Sequence, residues 1–143
     1  MPPSSIERFF SAGGGYASNV ATECVNLTIA GGREAPARVR AALGALNGSL
    51  RGIRDDVRLL VTELVTNAVV HGGAGPETPI EVRVKATPQG VRAEIEHPGP
   101  EFEARPRPDE QHYGLFLVEQ IADRWGVEPR GARNRAWFEV THG

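Results

Sequence analysis

The sequence predicts an α+β domain, a two-layer α/β sandwich whose mixed, mostly antiparallel sheet carries its helices on one face. Three observations predict it. Five stretches read as strands, and four of them are joined two by two across short turns. Three longer stretches repeat their apolar residues with helical spacing. The length, 143 residues, is enough for one core and not two. Strands that pair as hairpins, with helices gathered on one side, give two layers.

The elements follow in order. Residues 1–22 carry Pro2-Pro3-Ser4-Ser5 and Gly13-Gly14-Gly15 with little periodicity, so a flexible N-terminal extension is expected, with the domain at 23–143. Ile6, Phe9 and Phe10 are its apolar residues and could dock as a short helical turn. Glu23–Ile29 alternates, with Val25, Leu27 and Ile29 on one face, and ends at Gly31-Gly32. Ala35–Leu46 reads as a helix that starts on Pro36 and buries Val39, Leu43 and Leu46. Asp55–His71 is a longer helix stopped by Gly72-Gly73. Ile80–Thr87 and Val91–Glu96 alternate about a Pro88-Gln89-Gly90 turn and form a hairpin. Residues 98–111 hold four prolines, many charges and one large apolar residue, Phe102, as a lid-like loop would. Tyr113–Arg124 is a third helix. Trp125–Glu128 and Ala136–Thr141 make the last hairpin around Gly131.

Composition excludes several classes. Net charge is -2, which argues against nucleic acid or an anionic membrane surface as a partner. Cys24 is the one cysteine, so neither a disulfide framework nor a cysteine zinc cluster is expected. Lys85 is the one lysine and no Gly-Lys-Ser/Thr string exists, which rules out a P-loop. No apolar run nears the roughly 20 residues that span a bilayer, and no signal-peptide core follows the start, so a cytoplasmic location is expected.

The chemistry concentrates in the second helix. Glu63, Asn67 and His71 recur every four residues and span roughly 80° of one face, among Leu59, Leu60, Leu64 and Val70. A polar stripe in an apolar surface is costly unless solvent, a partner or a ligand satisfies it. A carboxamide oxygen can ligate a hard cation such as Mg²⁺. A carboxylate one turn away can take a proton from an attacking hydroxyl. His71 could instead simply cap the helix C-terminus. A two-histidine zinc motif is absent.

Glu63-Leu64-Val65-Thr66-Asn67-Ala68-Val69-Val70-His71-Gly72 resembles the N box of the GHKL ATPase superfamily. Asp56–Thr62, Ala122-Asp123-Arg124-Trp125-Gly126 and Trp137-Phe138-Glu139 are similar to its branch of anti-sigma factor serine kinases, and the resemblance covers about Asn26 to Val140. It implies the Bergerat fold and a histidine kinase-like ATPase domain. It implies that Asn67 holds Mg²⁺ and that Glu63 is the base acting on a serine hydroxyl of a partner protein. His97-Pro98-Gly99-Pro100-Glu101 stands where such proteins carry Asp-x-Gly-x-Gly, so His97 replaces the Asp that binds the adenine amino group and Glu101 replaces the second Gly. His112-Tyr113-Gly114-Leu115 stands at the Gly-x-Gly-Leu string, where backbone N–H groups and the helix dipole receive phosphates. Arg135 is the expected counterpart of a Thr near adenine. Arg105, Arg107 and His112 either neutralise phosphates or solvate the loop.

Two functions follow from the resemblance. One is a regulatory switch that binds ATP and Mg²⁺, captures a sigma factor and phosphorylates a serine of an antagonist protein. The other is a nucleotide-independent protein-binding module on the same fold, with a vestigial pocket. A homodimer is a further expectation from the resemblance.

Overall fold

A computed structural model describes residues 4–12, 21–44, 54–70, 73–87, 89–98 and 113–141. The strands are β1 (Ser4–Ala12), β2 (Ala21–Ala30), β3 (Pro79–Thr87), β4 (Gly90–Pro98), β5 (Arg124–Arg130) and β6 (Arg133–Thr141). The helices are α1 (Ala35–Gly44), α2 (Arg54–Val70) and α3 (Tyr113–Ile121). One six-stranded sheet runs β1-β2-β3-β4-β6-β5.

The expected α+β sandwich with its mostly antiparallel sheet is the observed one, and among the described residues every strand pairing is antiparallel. Connectivity gives the reason. The chain leaves β2, makes α1 and α2, and returns beside it as β3 in the opposite direction. After β4 it makes α3, enters β5 at the far edge, and fills the gap with β6. β4 and β5 therefore run the same way with β6 between them, and no parallel pair forms among the described residues.

Part of the expected N-terminal extension is a strand. Ser4–Ala12 is an edge strand, paired with β2 from Ser4↔Ile29 to Ala12↔Ala21. Gly13-Gly14-Gly15, which argued for flexibility, lie outside the described residues. Helix ends shift slightly. α3 stops at Ile121, and Arg124, expected in that helix, opens β5. There the Asp123 carboxylate accepts from the Thr141 backbone N–H at 2.6 Å and from its hydroxyl at 2.9 Å, which fixes the end of α3 to the end of β6.

The pleat decides which residues face the helices. Val25, Leu27 and Ile29, then Ile80, Val82 and Val84, then Val91, Ala93 and Ile95, then Ala136, Phe138 and Val140 are buried on one side. α1 and α2 close over them with Val39, Leu43, Leu60, Val61, Leu64 and Ala68. The opposite side carries charge. The Arg92 guanidinium donates to Glu94 and Glu139 at 3.0 Å each and lies 4.3 Å above the Trp137 ring. Among the described residues no helix is long and apolar enough to cross a membrane.

Candidate functional site

The C-terminal end of α2 is bound to one end of the sheet. The Ala74 N–H donates to the Ala68 carbonyl at 3.0 Å, and the Gly32 N–H donates to the Ala74 carbonyl at 2.8 Å. Gly31, just after β2, donates to Thr78 at 2.8 Å, just before β3. Two positions of this turn exclude side chains: a Cβ on Gly31 would lie 2.4 Å from the Gly75 carbonyl oxygen, and Gly32 has φ +93°. Asn67, next to Ala68, is thereby placed where β2 ends and β3 begins.

The sheet register brings other residues to the same end. Glu81 near the start of β3 pairs with Glu96, and the next residue of β4, His97, pairs with Asn134 of β6. His97 and Asn134 both belong to the helix-facing side and are 0% and 4% exposed. Asn67 is 6% exposed. A carboxamide on α2, an imidazole on β4 and a carboxamide on β6 thus share one end and one side of the sandwich. The Asp123–Thr141 bonds fix the C-terminal end of α3 at the opposite end of the sheet. Gly114 and Leu115 belong, by their backbone, to the first turn of α3, away from that anchor.

Each side chain has a distinct electrostatic state. The His97 Nδ1 lies 2.8 Å from the Pro98 carbonyl oxygen. A carbonyl only accepts, so Nδ1 carries the proton and Nε2 is the acceptor of the neutral ring. Burial holds the His97 pKa below its ordinary value; the Pro98 bond opposes this, and the Arg133 charge adds to it. Glu63 is half-buried, one turn before Asn67. Burial raises its carboxyl pKa, and Arg40 of α1 partly offsets the rise. The two neighbouring threonines turn inward on the helix: Thr62 donates to the Arg58 carbonyl at 2.7 Å and Thr66 to that of Thr62 at 2.9 Å. The hydroxyl protons of both threonines are thereby used within the helix.

One expectation fails on the pleat. Arg135 belongs to the charged outer side, 3.7 Å from Glu94, 3.9 Å from Glu96 and 3.6 Å from Glu128. Its neighbour Asn134 takes the inward position beside His97. The alternation of β6 could have revealed this, since Ala136, Phe138 and Val140 mark the even positions as inward. His71 and Gly99 lie outside the described residues, as do Glu101, Arg105, Arg107 and His112.

The family model for the histidine kinase-like ATPase domain matches residues 24–138. The chain belongs to that family. The match begins in β2 and ends in β6, so β1 precedes it. The chain is also 39% identical over 79 residues to an uncharacterized protein of Streptomyces coelicolor, a match covering 51% of this chain and 73% of that protein.

Proposed function

We propose that this histidine kinase-like ATPase domain is a regulatory switch of the anti-sigma factor type, which binds ATP with Mg²⁺ and phosphorylates a serine of an antagonist protein. The observation that carries the proposal is the Glu63–Asn67 pair. A half-buried carboxylate and a buried carboxamide lie one turn apart on α2, at the end of the sandwich where His97 and Asn134 also lie.

The residues present fit ATP and Mg²⁺. Neutral His97 offers an acceptor at Nε2, as the carboxylate in the related proteins does, so it suits the amino group of adenine. Asn134 adds an amide that both donates and accepts. Among the described residues no group of three or more His, Cys, Asp and Glu could cage a metal. Mg²⁺ is usually shared between one or two protein oxygens, phosphates and water, and the Asn67 carboxamide oxygen supplies one such ligand. When bound, the nucleotide supplies the phosphoryl group and the cation spreads its charge.

The chain's own part is positioning and proton transfer. Glu63 accepts the proton of the serine hydroxyl at a carboxylate oxygen. Its raised pKa brings it nearer to neutrality, where a general base works best. The first turn of α3 offers backbone N–H groups and the positive end of its dipole to phosphate. A sigma factor as the protein captured by this switch belongs to the same proposal, as do a cytoplasmic location and a homodimer.

A second reading rests on a specific observation. His97 is wholly buried, so a base must gain access to a packed ring. In a nucleotide-independent binding module it would stay packed. Calorimetric titration with Mg·ATP separates the two. Micromolar affinity that weakens in Asn67→Ala supports the switch kinase. No heat with up to millimolar ATP, together with partner capture that ignores nucleotide, overturns it.

A further inference from the structure

Leu59 and Val70 are the two large apolar residues exposed among the described residues, at 40% and 64%. Both lie on α2, four residues before Glu63 and seven after it. At about 100° per residue, Leu59, Glu63, Thr66 and Val70 fall within about 60° of one face, over about 17 Å of helix. The stripe starts at an acidic turn, Asp55 and Asp56, both exposed. Isolated exposed apolar residues need no explanation. Here the two are aligned along the helix, with a proton-accepting carboxylate between them.

The arrangement divides the work on α2. Asn67 is turned inward toward the sheet, while Glu63 sits at the boundary between that interior and the outer stripe. A group that gives its proton to Glu63 therefore reaches it from the stripe side. Leu59 lies about 6 Å from Glu63 along the axis and Val70 about 10 Å beyond. An extended chain advances about 3.3 Å per residue.

We propose that this stripe seats an extended, serine-bearing segment of the partner protein. Leu59 and Val70 receive apolar side chains about two residues to one side of the serine and three to four to the other. Asp56 receives a basic side chain beyond the Leu59 contact, the Asp55 carboxylate lying 3.8 Å from Arg58 of the same helix. The proposal rests on Glu63 acting as the base, and it adds how the hydroxyl is delivered and which sequences are accepted.

The test uses the full chain, radiolabelled ATP and pools of synthetic decapeptides. Each pool holds serine at the centre, and one other position at a time is fixed as Leu, Arg or Ser. The expected result is at least fivefold more labelling when Leu stands at these two spacings, in one chain direction, with a further preference for Arg beyond the Leu59 side. Leu59→Ser and Val70→Ser each abolish the preference at one spacing and leave the affinity for Mg·ATP within twofold. Labelling without positional preference, or a preference that both variants keep, overturns the docking proposal and leaves Glu63 as the base. No labelling in any pool, with Mg·ATP bound normally, overturns the docking and counts against the kinase reading. Light scattering gives one more outcome. A dimer that becomes monomeric in Leu59→Ser or Val70→Ser makes the stripe a seat for a second copy and overturns the proposal.

Discussion

His97 and Asn134 are directly opposite each other on β4 and β6, and both side chains are buried on the helix-facing side of the sheet. An imidazole acceptor and a carboxamide are therefore neighbours, while Arg135 is turned to the other side. Asn134→Ala is expected to weaken Mg·ATP binding three- to tenfold, the effect of losing one hydrogen bond of about 1 kcal/mol. Arg135→Ala is expected to leave affinity within twofold and to lower stability by about 1 kcal/mol, because three nearby carboxylates lose a common cation. Calorimetry and urea denaturation on both variants check this. If Arg135→Ala alone weakened binding, the assignment of the inward position would be wrong.

Glu63 gives a prediction with opposite effects on rate and stability. Its carboxyl pKa is raised by burial, so at neutral pH the folded protein holds a partly desolvated charge. The protonated form favours the fold, and that contribution is lost as pH rises through the folded value. Glu63→Gln keeps the shape and removes the charge. It is expected to raise stability at pH 7.5 by roughly 0.5 kcal/mol, the low end for a neutralising substitution because the group is only half-buried and solvent screens it. The same substitution is expected to slow phosphoryl transfer by roughly 10²- to 10⁴-fold. A destabilised Glu63→Gln that retained full activity would contradict both parts.

His97 has the opposite linkage. Its pKa is held below the ordinary 6.5, so the folded state prefers the neutral ring. The stability this confers is fully present above about pH 6.5 and is lost as pH falls through the depressed folded value. Arg133 of β6 disfavours the charged ring further. Asp123, whose pKa is lowered by its bonds to Thr141, loses its contribution only at more acidic pH. The urea midpoint of the wild type is expected to fall between pH 7.5 and 5.5, and His97→Asn is expected to flatten that fall. Equal slopes in both proteins would mean that another group carries the pH dependence.

Much of this was legible because local pattern and burial agree. β2, β3 and β4 alternate in sequence, and their inward residues are the ones predicted. The Glu63–Asn67 spacing on a helix was readable because four residues make one turn. β1 was missed because Phe9 and Phe10 are adjacent, which spoils alternation, and because its fold comes from pairing with β2. Arg135 was misplaced by one residue, and in a pleated strand one residue is a change of side. The all-antiparallel sheet depends on β6 inserting between β4 and β5, a long-range choice that no local pattern records.

Gly31 tests whether the α2 end must be held for the site to work. A Cβ there would lie 2.4 Å from the Gly75 carbonyl oxygen and 2.6 Å from that of Ala74, both backbone atoms with no freedom to rotate away. The 74–75 segment would have to shift, and with it the bonds from Ala74 to Ala68 and from Gly32 to Ala74. Overpacking of this kind costs about 1–3 kcal/mol. Because Ala68 follows Asn67, the shift also moves the carboxamide relative to His97. Gly31→Ala is therefore expected to lower the urea midpoint and to weaken Mg·ATP binding more than its stability loss explains, measured where both proteins are fully folded. Gly75→Ala, where a Cβ meets nothing within 4 Å, is the control and is expected to leave both quantities nearly unchanged. A Gly31→Ala protein that is destabilised yet binds as the wild type does would show that the turn supports the fold without setting the site.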